Sequence, residues 1–154
     1  MSSPTDPVEK LIVAINEHDL DAVRAAYSDR LRARRPGWPA EAGLEELLEA
    51  YRTDFDAFPD LHVVPLQAVH DDRRIVTEVL ITGHNAGSLV MGDLGRAIFG
   101  PEVDELPATN EAIELAAAFV HETEGGEIVA ERQYWGVLER LVQLGLVGGS
   151  SSDG

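Results

Sequence analysis

The chain has 154 residues, 44% of them hydrophobic, and a formal net charge of −16. That length buries roughly two-thirds of the surface its unfolded form would expose, enough for one globular domain with a real core. With Lys10 its only lysine, the chain makes a poor partner for nucleic acid or anionic membranes, whose affinity rests on phosphate neutralisation. The absence of cysteine removes disulfides, thiolate nucleophiles and Cys-based zinc sites.

Residues 1–6 read as a flexible N-terminus without the charged start and apolar stretch of a signal peptide. No window reaches the ~18 apolar residues of a membrane span, and a cytoplasmic protein is the expectation. Asp6-Pro7 marks a helix start, a capping carboxylate followed by proline at the first helical position. Val8, Leu11, Ile12 and Ile15 then follow at helical spacing. Asp19 caps a second short helix carrying Leu20, Val23 and Tyr27. The cationic cluster Arg30 to Arg35 reads as a solvated or internally paired edge, leading into a loop through Pro36-Gly37-Trp38-Pro39. Leu44, Leu47, Leu48, Tyr51 and Phe55 define a third helix that stops near Phe58-Pro59.

From His62 the period changes. His62 to Val69 and Arg74 to Thr82 read as strands joined at Asp71-Asp72 in a hairpin. Ser88 to Ala108, studded with glycine and proline, reads as a long connection of the kind that forms binding edges. Ala112 to Glu122 is a third strand with Ile113, Leu115, Ala117, Phe119 and His121 on one face. The Glu124-Gly125-Gly126 turn leads into a last strand. Alternation there places Val129, Glu131, Gln133 and Trp135 on one face and Ile128, Ala130, Arg132 and Tyr134 on the other. A closing helix carries Val137, Leu141 and Leu144 and ends at Gly145. Residues 7–146 form one domain on this reading, and the Gly/Ser-rich 147–154 a disordered tail. Helices followed by antiparallel strands predict an α+β domain whose helices cover one face of a curved sheet, open at one end to a cavity.

Several segments in this order resemble the SnoaL-like polyketide cyclases, within the wider nuclear-transport-factor-2-like and ketosteroid-isomerase-like fold. They are Asn16-Glu17-His18-Asp19, Phe58-Pro59-Asp60-Leu61, Thr82-Gly83-His84-Asn85-Ala86-Gly87, Leu106-Pro107-Ala108-Thr109, Gly126-Glu127-Ile128 and Gln143-Leu144-Gly145. The resemblance spans about Pro7 to Leu146. It implies a cone-shaped sheet around an apolar pocket, a homodimer, and cofactor-free proton chemistry on a hydrophobic, carbonyl-bearing small molecule. Aldol-type ring closure on a polyketide ester, isomerisation and epoxide hydrolysis all occur in such relatives. A carboxyl group in an apolar pocket has a raised pKa and can shuttle a proton next to a carbonyl. The family's acidic residues five and eight positions after the turn isoleucine correspond to Gln133 and Gly136 here, and neither can serve as a base.

Gln133 can still donate a hydrogen bond to a developing oxyanion. Glu131 and His121 are the nearest candidates for acid and base, so the catalytic set expected is Glu131, His121 and Gln133. The alternative for Glu131 is an exposed carboxylate paired with Arg132 of a neighbouring molecule or with Arg140; for His121, a hydrogen-bonded structural histidine. His84, Trp135, Phe55 and Phe119 are the candidate ligand contacts, with loop fixing as the other reading of His84. His18 and His62 read as structural, and no metal site is expected, because no histidine pair has zinc-site spacing. The competing function is a binding or accessory module that keeps the pocket and has lost the acid.

Overall fold

A computed structural model describes residues 6–148. The expected tail, and all but the last residue of the expected flexible N-terminus, lie largely outside the described residues. The elements in chain order are α1 (Pro7–Asn16), α2 (Leu20–Ala25), β1 (Tyr27–Arg34), α3 (Leu44–Ala57), β2 (His62–His70) and β3 (Arg74–His84). Next come β4 (Leu89–Val90), α4 (Gly92–Phe99), β5 (Glu105–Leu106), β6 (Ala112–Glu124), β7 (Glu127–Tyr134) and α5 (Val137–Gln143). A mixed α+β architecture results. Its curved main sheet has the order β1-β7-β6-β3-β2, antiparallel except where β1 runs parallel to β7.

Local signals account for the helices. Asp6 caps α1 by accepting from the amides of Val8 and Glu9, and Asp19 caps α2 by accepting from Ala22. The inward stripe of α1, Val8, Leu11, Ile12, Ala14 and Ile15, is buried, and each large side chain among them stabilises the fold by roughly 1.5–3 kcal/mol. Asn16 then ties the helix end to β2, donating to the carbonyl of Val63 at 2.9 Å and accepting from its amide at 2.7 Å. His18, in the left-handed region at φ 54°, stacks on Phe55 at 4.1 Å and meets the Leu61 carbonyl at 2.9 Å.

Three sequence expectations need correction. Tyr27 opens strand β1 instead of continuing the second helix. The strand's period of two is real, with Leu31 and Ala33 buried between exposed Arg32 and Arg34, but charges occupy so many outward positions that it reads as a cationic run. The 88–108 connection holds its own helix and a small two-stranded sheet, β4 with β5. Asn85, fully buried, clamps both ends of this excursion: its amide nitrogen donates to the carbonyls of Ala57 and Gly87, and its oxygen accepts from the amide and hydroxyl of Thr109. Finally, Ile128 is buried like Glu131 and Gln133. The β6–β7 register slips between Glu122 and Thr123, and this bulge breaks the strict alternation, turning Ile128 inward.

Candidate active site

Register builds the site. Across β6 and β7, His121 pairs with Glu131 and Phe119 with Gln133, so inward residues of two strands stand side by side. From the opposite side, α3 presents Tyr51 to this face, and the first residue of β1, Tyr27, lies beside it. The result is a closed network centred on Glu131, which is 0% exposed. Its Oε1 accepts from the Tyr27 hydroxyl at 2.6 Å and from His121 Nε2 at 2.8 Å. Its Oε2 accepts from the Tyr51 hydroxyl at 3.2 Å and from Gln133 Nε2 at 2.8 Å. Gln133 Oε1 in turn accepts from the Trp135 indole at 3.1 Å.

Burial alone pushes the Glu131 carboxyl up. The hydrogen bond and charge of His121, followed by the bonds from Tyr27 and Gln133, outweigh it and hold the group below the usual carboxylate range. Tyr27 and Tyr51 are raised well above the ordinary phenol value, first by burial and then by the Glu131 charge, so both remain donors. The carboxylate is ionised and its acceptor sites are filled.

Next to this network lies an inner cavity of about 40 Å³, walled mainly by apolar residues such as Ile15, Phe58, Val63, Leu115 and Phe119. The space admits a few waters. Its polar lining comes from Tyr51, Gln133, Asp54, Arg35 and Arg140, with Trp135 beside them. Outside it opens a cleft of about 720 Å³ between α3, the 35–42 loop and the start of α4. Arg35, Asp54, Trp135 and Arg140 line both spaces and form the collar between them. In that collar Arg35 donates to Asp54 Oδ2 at 2.7 Å, with its guanidinium 6.0 Å from the Tyr51 ring and 5.9 Å from the Trp135 ring.

The expected residues therefore fall into three groups. Gln133, Trp135 and Phe119 line the inner cavity. Glu131 and His121 join each other but are sealed behind Tyr51 and Gln133, outside the cavity lining. The alternative of an exposed, arginine-paired Glu131 does not occur here. Phe55 packs in the core between His18 and Tyr51 and is not part of the lining. His84 stands at the exposed end of β3, where its Nδ1 meets Asp60 Oδ2 at 2.7 Å, a surface contact that is not part of this lining. Gly136, the second position of the family's acid, is the residue before α5.

Sequence reasoning missed Asp54, Arg35 and Arg140 and treated Tyr51 as packing. A signal existed. Asp54 lies three residues after Tyr51 and four before Phe58, and Arg140 three after Val137 and four before Leu144, so each is a charge set within the apolar stripe of a helix. Among the described residues, no three His, Asp or Glu side chains converge as a metal ion requires.

A family model for the SnoaL-like domain matches residues 8–131. No curated protein matches the chain. Among solved structures, AclR from Streptomyces galilaeus, a proposed hydroxylase, superposes with a TM-score of 0.73 at 15% identity, covering 92% of this chain and 95% of its own. IdmH from Streptomyces antibioticus, a proposed polyketide cyclase, gives 0.72 at 19% identity, with 94% and 99% covered. An LEH-like epoxide hydrolase from M. tuberculosis gives 0.63 at 18% identity, with 90% and 86% covered. At such identities these likenesses establish a shared fold, whose members differ in chemistry. By the extent of the family match and the agreement of fold, the chain belongs to the SnoaL-like domain family.

Proposed function

We propose that this protein takes an apolar, carbonyl-bearing small molecule into the cleft and moves a proton next to its carbonyl, without a cofactor. The observation that carries this reading is Asp54, the one carboxylate among the described residues that lines the inner cavity. Arg35 holds its Oδ2, and no hydrogen bond engages Oδ1 among the described residues. In the proposed step Asp54 takes a proton from the carbon beside the carbonyl, and the electron pair passes to the carbonyl oxygen. Gln133 holds the resulting enolate: one of its N–H bonds is committed to Glu131 at 2.8 Å, while the other makes only a long 3.3 Å contact to Tyr51 that a substrate oxygen can replace. Where a carbon–carbon double bond extends the enolate to a dienolate, return of the proton to its far carbon completes an isomerisation. Attack of the enolate carbon on a second carbonyl of the same molecule completes an aldol closure, with the proton delivered to the new alkoxide. Glu131 and His121 are positioning residues in this scheme, since Glu131 fixes the amide of Gln133 and the hydroxyl of Tyr51.

One observation favours a second reading, a binding module without chemistry: an inner cavity of about 40 Å³ has no room for a ring. Hydrogen–deuterium exchange at the α-carbon of cyclic diketone probes, followed by NMR in D2O, separates the two. Catalysis predicts exchange above the buffer rate that falls at least about 100-fold in Asp54→Asn, within the range for loss of a general base. Saturable binding with exchange at the buffer rate would leave only the binding module. We further propose a homodimer through the outer sheet face, where Val69 of β2 is 69% exposed; sedimentation that shows only monomer refutes it.

A further inference from the structure

Arg140 has no role in the network or in the proposed proton transfer, and its situation is costly. Its side chain is buried, with 8% exposure for the residue, yet no carboxylate reaches ion-pair distance among the described residues. Its Nε is buried without a hydrogen-bond partner. What it touches is Trp135, whose ring lies 4.6 Å from the guanidinium carbon. Burial lowers its pKa to about 10, with Asp54 opposing that shift and Arg35 adding to it, so it is still charged at neutral pH. A buried cation without a carboxylate at ion-pair distance is destabilising. Nearby, Arg35 is already neutralised by Asp54, so the collar has one positive charge to spare in a chain of net charge −16.

The geometry points to a carboxylate on the ligand: we infer that Arg140, with Trp135 stacked against it, receives the acid group of an apolar carboxylic acid at the collar between cleft and cavity. Three features support this. Arg140 lines both spaces, so a ligand passing from cleft to cavity meets it. A guanidinium is a planar fork suited to bidentate contact with a carboxylate. The cleft walls offer Trp38, Met91 and Leu94 for the apolar part. The inference rests on the proposed ligand cleft and narrows its substrate class from carbonyl compounds in general to acids, a ketone and a carboxylate on one skeleton.

The test uses two probes of one shape, 2-naphthoate and the neutral 2-acetylnaphthalene, titrated calorimetrically into the full-length protein and into Arg140→Met and Arg140→Lys. The wild type is expected to favour the acid by about 10- to 100-fold, the range for a charge-assisted hydrogen bond. That ratio should fall to near one in Arg140→Met and be partly kept in Arg140→Lys, which retains charge without the fork. Thermal melts accompany the titrations, and Arg140→Met should melt no lower than wild type, because the substitution removes an unpaired buried charge. If the wild type binds the ketone as tightly as the acid, or if Arg140→Met keeps the preference, the carboxylate inference is overturned while the cleft reading stands. If neither probe binds, both are overturned.

Discussion

Removal of the Glu131 carboxylate tests the network most directly. In Glu131→Ala the four donors lose their common acceptor. Tyr27 and Gln133 can each fall back on the Tyr51 hydroxyl, which already lies 3.3 Å from both. His121 has no such retreat: its Nδ1 is already buried without a partner, and Nε2 now joins it. Stranded polar groups cost about 1–3 kcal/mol each, and breaking a buried ion pair from one side costs about 3–5 kcal/mol, so the expected loss is about 3–5 kcal/mol. For a chain of this size that is roughly 6–20 °C in Tm. Glu131→Gln is gentler. Its amide oxygen can still accept from Tyr27 and His121 in place of Oε1, while its NH2 donates to the Tyr51 hydroxyl, on which Gln133 also falls back. The loss then shrinks to the difference between charged and neutral hydrogen bonds, about 1–2 kcal/mol. Urea denaturation with coincident fluorescence and circular dichroism transitions measures both. An alanine variant within about 1 kcal/mol of wild type, as an exposed carboxylate would give, refutes the buried network.

The same group sets a pH dependence. Its folded pKa lies below the ordinary 4.5, so its stabilisation is complete above that value and is lost as pH falls through the folded pKa. The urea midpoint of wild type should drop more steeply below pH 4.5 than that of Glu131→Gln, and parallel slopes would contradict the assignment. A backbone contact supplies a further check. A Cβ at Gly87 would stand 2.1 Å from the Asp56 carbonyl oxygen, so Gly87→Ala should cost about 3 kcal/mol, at the upper end of overpacking. Gly126, at φ +82° with nothing near its missing Cβ, should cost only about 1 kcal/mol as alanine. Equal urea midpoints for the two variants would contradict the close approach at Gly87.

Much of the fold was legible because helix caps and apolar period are local. Asp6 and Asp19 announce their helices, and Ile113 to His121 alternates so cleanly that its buried face follows from the letters alone. The meeting of His121 with Glu131 was open to sequence reasoning as a possibility, since adjacent strands with inward polar residues tend to join them. What was hidden depends on tertiary context. The parallel strand β1 is disguised by its arginines, and its partner β7 lies about a hundred residues further on. A one-residue bulge decided the direction of Ile128, and no composition rule foretells a bulge. The placement of Glu131 behind the cavity wall, with Asp54 in front, depends on how α3 crosses the sheet. Charges on the apolar stripes of α3 and α5 were the available clue, and a search for His and Glu on strands passed over it.

The clamp at Asn85 has a consequence for how this protein can change. Departing and returning chain meet at one side chain, so everything between Gly87 and Thr109 is a cassette whose ends are fixed whatever its contents. Chain-closure entropy is nearly indifferent to such inserts, at about 0.6 kcal/mol per doubling of length. The cassette contributes Val90 to Leu94 to the roof of the cleft, while the sheet and the Glu131 network lie outside it. The lining of the cleft can therefore vary through Val90 to Leu94 while Leu89, the cassette's one anchor in the buried core among the described residues, stays packed.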